Sequence, residues 1–148
     1  MKIKTITVVI PTYNEEDNIP EIYRRINTVF EPYNRKYYLE ILFIDNFSTD
    51  RSREIIIELS EKKPQVKAIF NSRNFGFTRS TFYGLTQATG DCAILIFADM
   101  QDPPEVIPKF IEQWEQGNKI VVGIKAQSYE NPFIYFIRAC YYKIIRKI

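Results

Sequence analysis

Ile6-Thr7-Val8-Val9-Ile10-Pro11-Thr12-Tyr13-Asn14-Glu15 decides how the chain folds. A short run rich in β-branched side chains is halted by a proline and followed by a polar turn. Such side chains suit the pleated, buried surface of a strand, and an apolar run without alternation marks a strand covered on both faces. Beyond the turn, Ile19, Ile22, Ile26, Val29 and Phe30 recur at helical spacing, with Glu15, Glu16 and Asp17 at the leading end. Acids there oppose the positive pole of a helix. The unit is strand, turn, helix.

Outward from that stretch the unit repeats. Residues 39–44 read as a second strand, after which Ser48 or Asp50 can cap a helix bearing Ile55, Ile56 and Leu59. A third strand at 66–70 is interrupted by Lys67, and the helix predicted over 77–89 closes on Gly90 as its C′ residue. The most apolar run, 92–97, is the fourth strand. Pro103-Pro104 then opens a helix carrying Val106, Ile107, Phe110, Ile111 and Trp114, closed by Gly117. Residues 120–124 are expected to form a fifth strand. This rhythm predicts an α/β domain, a mostly parallel sheet with helices on both faces. Ligands of such sheets sit outside the carboxyl ends of the strands. The polar clusters at 11–15, 45–50 and 99–102 each follow a strand, so they are expected along one rim.

Composition narrows the chemistry. With 148 residues, 45% hydrophobic and 26% charged, the chain has enough apolar material for one core. It contains no histidine, which removes His-based catalysis, and its two cysteines, Cys92 and Cys140, are too few for a zinc cluster. Two distant cysteines fit a reduced, cytoplasmic protein. The net charge is +2, but Arg138, Lys143, Arg146 and Lys147 follow the last acid, Glu130, so residues 1–130 carry −2 and the tail +4. A nucleic-acid binder spreads positive charge over a folded face, and none is read here. Met1-Lys2-Ile3-Lys4-Thr5 is expected to lead into a strand and does not read as a signal peptide, and no apolar stretch of about 18 residues occurs in the sequence.

Three clusters carry candidate chemistry. In Phe97-Ala98-Asp99-Met100-Gln101-Asp102-Pro103-Pro104, a carboxylate and an amide two residues apart leave a buried strand. Hard divalent cations take such oxygens, and magnesium commonly uses one or two carboxylates plus substrate phosphates. A helix start is the competing reading; it accounts for Asp102 but not for Asp99 or Gln101. Asp45 lies too early to cap and is a candidate acceptor for a base-edge N–H, whereas Ser48, Thr49 and Asp50 read better as turn and cap. Pro11-Thr12-Tyr13-Asn14-Glu15 offers a rigid turn and an aromatic face for stacking, or simply an acidic helix start. Gly76, in Arg73-Asn74-Phe75-Gly76, either lets backbone approach a ligand or serves a turn. Neither a P-loop nor a G-x-G-x-x-G pattern is present.

Taken together and in order, these stretches, with Ala88-Thr89-Gly90-Asp91, resemble family 2 glycosyltransferases of the GT-A fold, in particular the branch of dolichyl-phosphate mannose synthase and the bacterial polyprenyl-phosphate glycosyltransferases. The resemblance runs from about Ile6 onward. It implies a nucleotide-sugar site of Pro11, Thr12, Tyr13, Glu15, Asp45, Gly76, Phe97, Ala98 and Asp99. It also implies a magnesium or manganese ion on Asp99 and Gln101, a UDP- or GDP-sugar donor, and inverting transfer to polyprenyl phosphate or a glycan, in the service of a cell-envelope polysaccharide. Two positions depart from the pattern. Phe97 stands where the family has the first aspartate of Asp-x-Asp, and Asp45-Asn46-Phe47-Ser48 replaces Asp-Asp-Gly-Ser. Loss of a carboxylate weakens a metal site, so a binding module without catalysis is the alternative. No catalytic base is assigned; a phosphate acceptor is already ionised and needs none.

The resemblance also implies a longer protein, with 1–130 as the nucleotide-sugar domain and 131–148 as the start of a truncated C-terminal part. After Asn131-Pro132, a helical wheel sets Phe133, Ile137, Cys140, Tyr141, Ile144 and Ile148 against Arg138, Tyr142, Lys143, Arg146 and Lys147. A basic, aromatic, amphipathic segment suits the headgroup layer of an anionic membrane. The expected location is the inner face of a membrane.

Overall fold

The computed structural model describes residues 3–124. The amphipathic segment 131–148 and the boundary at residue 130 lie outside them. Four strands, β1 (Lys4–Thr12), β2 (Tyr37–Asp45), β3 (Val66–Phe70) and β4 (Cys92–Leu95), form one sheet in the order β3-β2-β1-β4. Every pairing is parallel. The helices are α1 (Ile19–Phe30), α2 (Ser52–Lys62), α3 (Phe77–Gln87) and α4 (Ile107–Glu115).

Alternation along β1 sorts the two faces. Ile6, Val8 and Ile10 join Ile41, Phe43, Ile94 and Ile96 in a buried cluster with Ile19, Ile22, Ile26 and Phe30 of α1, Ile56 of α2, and Ile107 and Ile111 of α4. The opposite face belongs to α3. There Gly84 comes so close that an added Cβ would lie 3.0 Å from Ile44 Cγ2 and 3.1 Å from Val9 Cγ1.

Pro11 does not end β1. It pairs in register with Ile44, and Thr12 pairs with Asp45. Thr12 directs its carbonyl toward β2, where Asn46 N donates to it, while Val9 directs its own toward β4. Pro11 therefore turns its missing N–H to the β4 side, beyond the last β4 pairing at Leu95, where no ladder bond is lost.

Two further expectations are corrected. α3 ends at Gln87, and Ala88 leaves it in extended conformation, so Gly90 is not a helix cap. Its need is space: a Cβ there would lie 2.7 Å from Thr7 Oγ1 and 2.8 Å from the Thr5 carbonyl. Residues 120–124 form no strand, and Ile120, Val122 and Ile124 are exposed. Val121, Val122 and Ile124 line a gap of about 730 Å³ together with Cys92 and Leu95 of β4 and with Phe97. An apolar pattern makes a strand only where a neighbouring backbone is in reach.

Candidate functional site

Parallel pairing brings the strand ends into line, with Thr12 beside Asp45 and Asp45 beside Phe70. The loops that follow therefore meet on one rim. Each loop after β1, β2 and β4 holds one non-glycine residue in the left-handed region: Asn14 (φ 54°), Phe47 (φ 70°) and Met100 (φ 56°). They are the only such residues among the described ones. The conformation costs about 1 kcal/mol each where a Cβ is present, and strain of this kind gathers at functional rims.

The first two loops are stitched together. Asn14 N donates to Ser48 Oγ at 2.9 Å, Glu15 N to Ser52 Oγ at 2.8 Å and Glu16 N to Asp50 Oδ2 at 3.1 Å. In return Thr49 N donates to Asn14 Oδ1 at 2.8 Å, and Arg51 N to Glu16 Oε2 at 2.9 Å. Burial pushes the Asp50 carboxyl up, but hydrogen bonds from Ser52 and Glu16 outweigh it and hold it below the ordinary aspartate value. Ser48 and Asp50 are thus bolts between loops. The N-cap position of α2 is held by Arg51, not by Ser48 or Asp50, although Asp50 Oδ1 accepts from Ser52 N, the first helical N–H, at 2.9 Å.

The loop after β3 hangs on an amide network. Asn71 Nδ2 donates to Asn46 Oδ1 at 3.0 Å and to Ser80 Oγ at 3.1 Å. Asn46 Nδ2 donates to Asn74 Oδ1 at 2.9 Å, and Phe75 N donates to Asn46 Oδ1 at 3.0 Å. Gly76, at φ 83°, precedes α3; nothing lies within 4 Å of where its Cβ would be, so conformation rather than crowding selects glycine.

Between these loops lies a cleft of about 480 Å³. Pro11, Thr12, Tyr13, Glu15, Gly76, Phe97, Ala98, Asp99 and Gln101, all candidates from the sequence, line it. Asp45 does not. It is fully buried, and its carboxylate oxygens accept from Ser48 N at 3.2 and 3.3 Å. The left-handed Phe47 turns the chain back, so the carboxylate closes its own turn. Asn46, Asn74, Phe77 and Ser80 also line the cleft and were missed. Asn46 and Asn74 are held by the amide network, whose bonds to Asn46 join residues 25 to 29 apart in sequence, and Ser80 is tied to it through Asn71.

The cleft's chemistry is oxygen-rich and acidic. Its lining includes the carboxylates of Glu15 and Asp99 and the amides of Asn46, Asn74 and Gln101, with no lysine or arginine among the described residues. Asp99 Oδ1 accepts from Gln101 N at 3.1 Å, which fixes the carboxylate at the start of its turn. Phe97 packs its ring against Phe77, with centroids 5.4 Å apart and planes tilted by 44°. Tyr13, about half exposed, is on the rim. Among the described residues no three acids, cysteines or histidines converge as a closed metal cage. One carboxylate and one amide oxygen suit an ion that takes its other ligands from a bound phosphate. The residues present fit a magnesium- or manganese-sized cation in that role.

The chain is 39% identical over 127 residues to the uncharacterized glycosyltransferase YkcC of Bacillus subtilis, covering 86% of this chain and 39% of the relative. It is 36% identical over 132 residues to the undecaprenyl-phosphate 4-deoxy-4-formamido-L-arabinose transferase of Klebsiella pneumoniae, covering 88% of this chain and 40% of that one. The chain thus spans about two fifths of the length of both relatives. Among solved structures, the mannosyltransferase PcManGT of Pyrobaculum calidifontis, in complex with GDP-Man and Mn2+, superposes with a TM-score of 0.61 at 24% identity, covering 77% of this chain and 33% of that one. The parallel sheet is that of the GT-A fold. Residues 7–147 match the glycosyl transferase family 2 model, and the chain belongs to that family.

Proposed function

We propose that the chain forms the donor-binding half of an inverting glycosyltransferase that moves a sugar from UDP or GDP to a polyprenyl phosphate. The observation that carries this is the cleft: carboxylate and amide oxygens from four loops line one space, with no cationic side chain beside them among the described residues. With no lysine or arginine among the described lining residues to neutralise a bound nucleotide diphosphate, a divalent cation is the fitting counter-charge. Asp99 and Gln101 are the residues to hold it. What bound magnesium or manganese supplies is relief of the charge that builds on the departing diphosphate. Tyr13 gives the base a face to stack on, and Thr12, Ala98 and Gly76 shape the wall. The bond from the anomeric carbon to the diphosphate breaks as an acceptor phosphate oxygen attacks. That oxygen is already ionised, which suits a chain with no histidine. A glycan hydroxyl would need a carboxylate base as well.

The relative from Klebsiella acts, by its name, on undecaprenyl phosphate, which favours a lipid acceptor and action at the inner face of a membrane. Among the described residues no helix is long and apolar enough to cross one. Membrane attachment is assigned to the basic segment 131–148.

Phe97 favours a second reading. With a phenyl ring in place of the family's first carboxylate, the cleft would bind donor without turnover.

Calorimetry with UDP- and GDP-sugars, with and without manganese, separates the readings. Binding that tightens with manganese, and loses that gain in Asp99→Ala, supports the transferase. Equal binding without metal supports the module, and no binding by a folded protein refutes both.

A further inference from the structure

The loop after β4 is gripped from behind the cleft. Asp99 and Gln101 line the cleft, and Met100 between them adopts φ 56° and packs its side chain against the buried cluster. A residue with a Cβ holds that conformation only where surrounding contacts enforce it. Beside that packing and the Met100 N–H, which donates to the Phe97 carbonyl at 3.2 Å, one guanidinium adds a side-chain grip. Arg25, on α1, directs Nη1 to Met100 Sδ at 3.3 Å, and its Nε donates to Glu105 Oε1 at 3.1 Å. Its Nη2 pairs with the other oxygen of Glu105, giving a bidentate fork. Glu105 belongs to the 3-10 turn Pro104–Val106 that follows the loop. A single side chain, only a quarter exposed, thus holds both the middle of the loop and the turn that ends it. Neither residue touches the cleft.

We propose that Arg25 and Glu105 are positioning residues for cation binding: they keep Met100 in its left-handed turn, so that Asp99 and Gln101 stay aimed into the cleft. The inference rests on the donor-binding reading above. It differs from a plain helix-to-turn ion pair, which would add stability without favouring one cleft ligand over another.

The test is calorimetry of UDP and GDP on the full chain, with and without manganese, for the unsubstituted protein, Arg25→Gln, Arg25→Lys and Glu105→Gln. The gain in affinity on adding manganese is expected to fall about tenfold in Arg25→Gln and Glu105→Gln, while metal-free affinity stays constant. Arg25→Lys keeps a charge but not the fork and is expected to fall between. Adding Met100→Gly to Arg25→Gln should recover the gain, because glycine adopts the turn without help. A structural pin would not be rescued that way. An unchanged gain in folded Arg25→Gln, or loss of metal-free and metal-dependent affinity in parallel, overturns the inference. If Arg25→Gln does not fold, Arg25→Lys decides by the same comparison. Binding without any manganese gain in the unsubstituted protein removes the metal-dependent transferase reading in favour of the binding module, and this inference with it.

Discussion

At the scale of single residues, the proposed cation site turns on position 97. A second carboxylate there would add a hard oxygen ligand beside Asp99, at the cost of the ring contact with Phe77. Phe97→Asp is therefore expected to tighten manganese binding in the presence of nucleotide by roughly tenfold, about 1.4 kcal/mol. The same change should lower stability by about 0.5–1.5 kcal/mol, the worth of an aromatic pair. Manganese titration followed by electron paramagnetic resonance, beside urea denaturation, measures both; unchanged affinity would mean that position 97 does not face the ion. Tyr13 makes a complementary case. Stacking of a base on an aromatic ring is worth about 1–3 kcal/mol, so Tyr13→Ala should weaken nucleotide binding by that amount with or without metal, and Tyr13→Phe should barely change it. Asp45 shows where residue-level reading ends. A carboxylate leaving a strand looks the same in sequence whether it faces a ligand or its own turn. The left-handed Phe47, two residues on, turned it inward.

At the scale of elements, the strands and helices were legible because their signals are local. The spacing of Ile19, Ile22, Ile26 and Phe30 names the buried face of α1 without reference to the rest of the chain. What escaped was set by contacts between distant segments: the bolts between the loops after β1 and β2 join residues 34 to 37 apart, and residues 120–124 have a strand's pattern but no strand beside them. Gly90 belongs with these, since its reason is the approach of the α3–β4 connection to Thr5 and Thr7 on β1. That approach is held by Glu40, buried on β2, which accepts from Thr7 Oγ1 at 2.8 Å and Thr89 Oγ1 at 3.1 Å and pairs with Lys67 on β3. Burial pushes the Glu40 carboxyl up, and hydrogen bonds from Lys67, Thr7 and Thr89 outweigh it, leaving it below the ordinary glutamate value of 4.5. A carboxyl depressed in the folded state stabilises the fold fully above its unfolded pKa, and the stabilisation fades as pH falls through the folded value. Glu40→Gln is expected to cost about 1–2 kcal/mol at neutral pH, given that Lys67 is half exposed. Urea midpoints of the two proteins should converge below pH 4.5, and a constant gap down to pH 3 would contradict the assignment.

For the whole molecule, charge is divided in a way that complements the site. Residues 1–130 carry −2, and the last 18 residues carry +4 with no acid among them. Under the proposed reading, an acidic cleft that takes a cation has no use for that positive charge, and no lysine or arginine lines it among the described residues. A phosphate-bearing lipid acceptor, in contrast, lies in a negatively charged surface that attracts basic segments at about 1 kcal/mol per lysine or arginine. Four such residues would hold the protein where its acceptor is, while the donor arrives from solution. Replacing Arg138, Lys143, Arg146 and Lys147 together by glutamine should therefore release the chain from anionic liposomes in a flotation gradient and leave nucleotide affinity unchanged. Raised salt should reproduce the release with the native sequence, because screening shortens the reach of these charges to within about 10 Å. Native protein that floats equally well with neutral liposomes would assign the attachment to the tail's apolar residues instead of its charge.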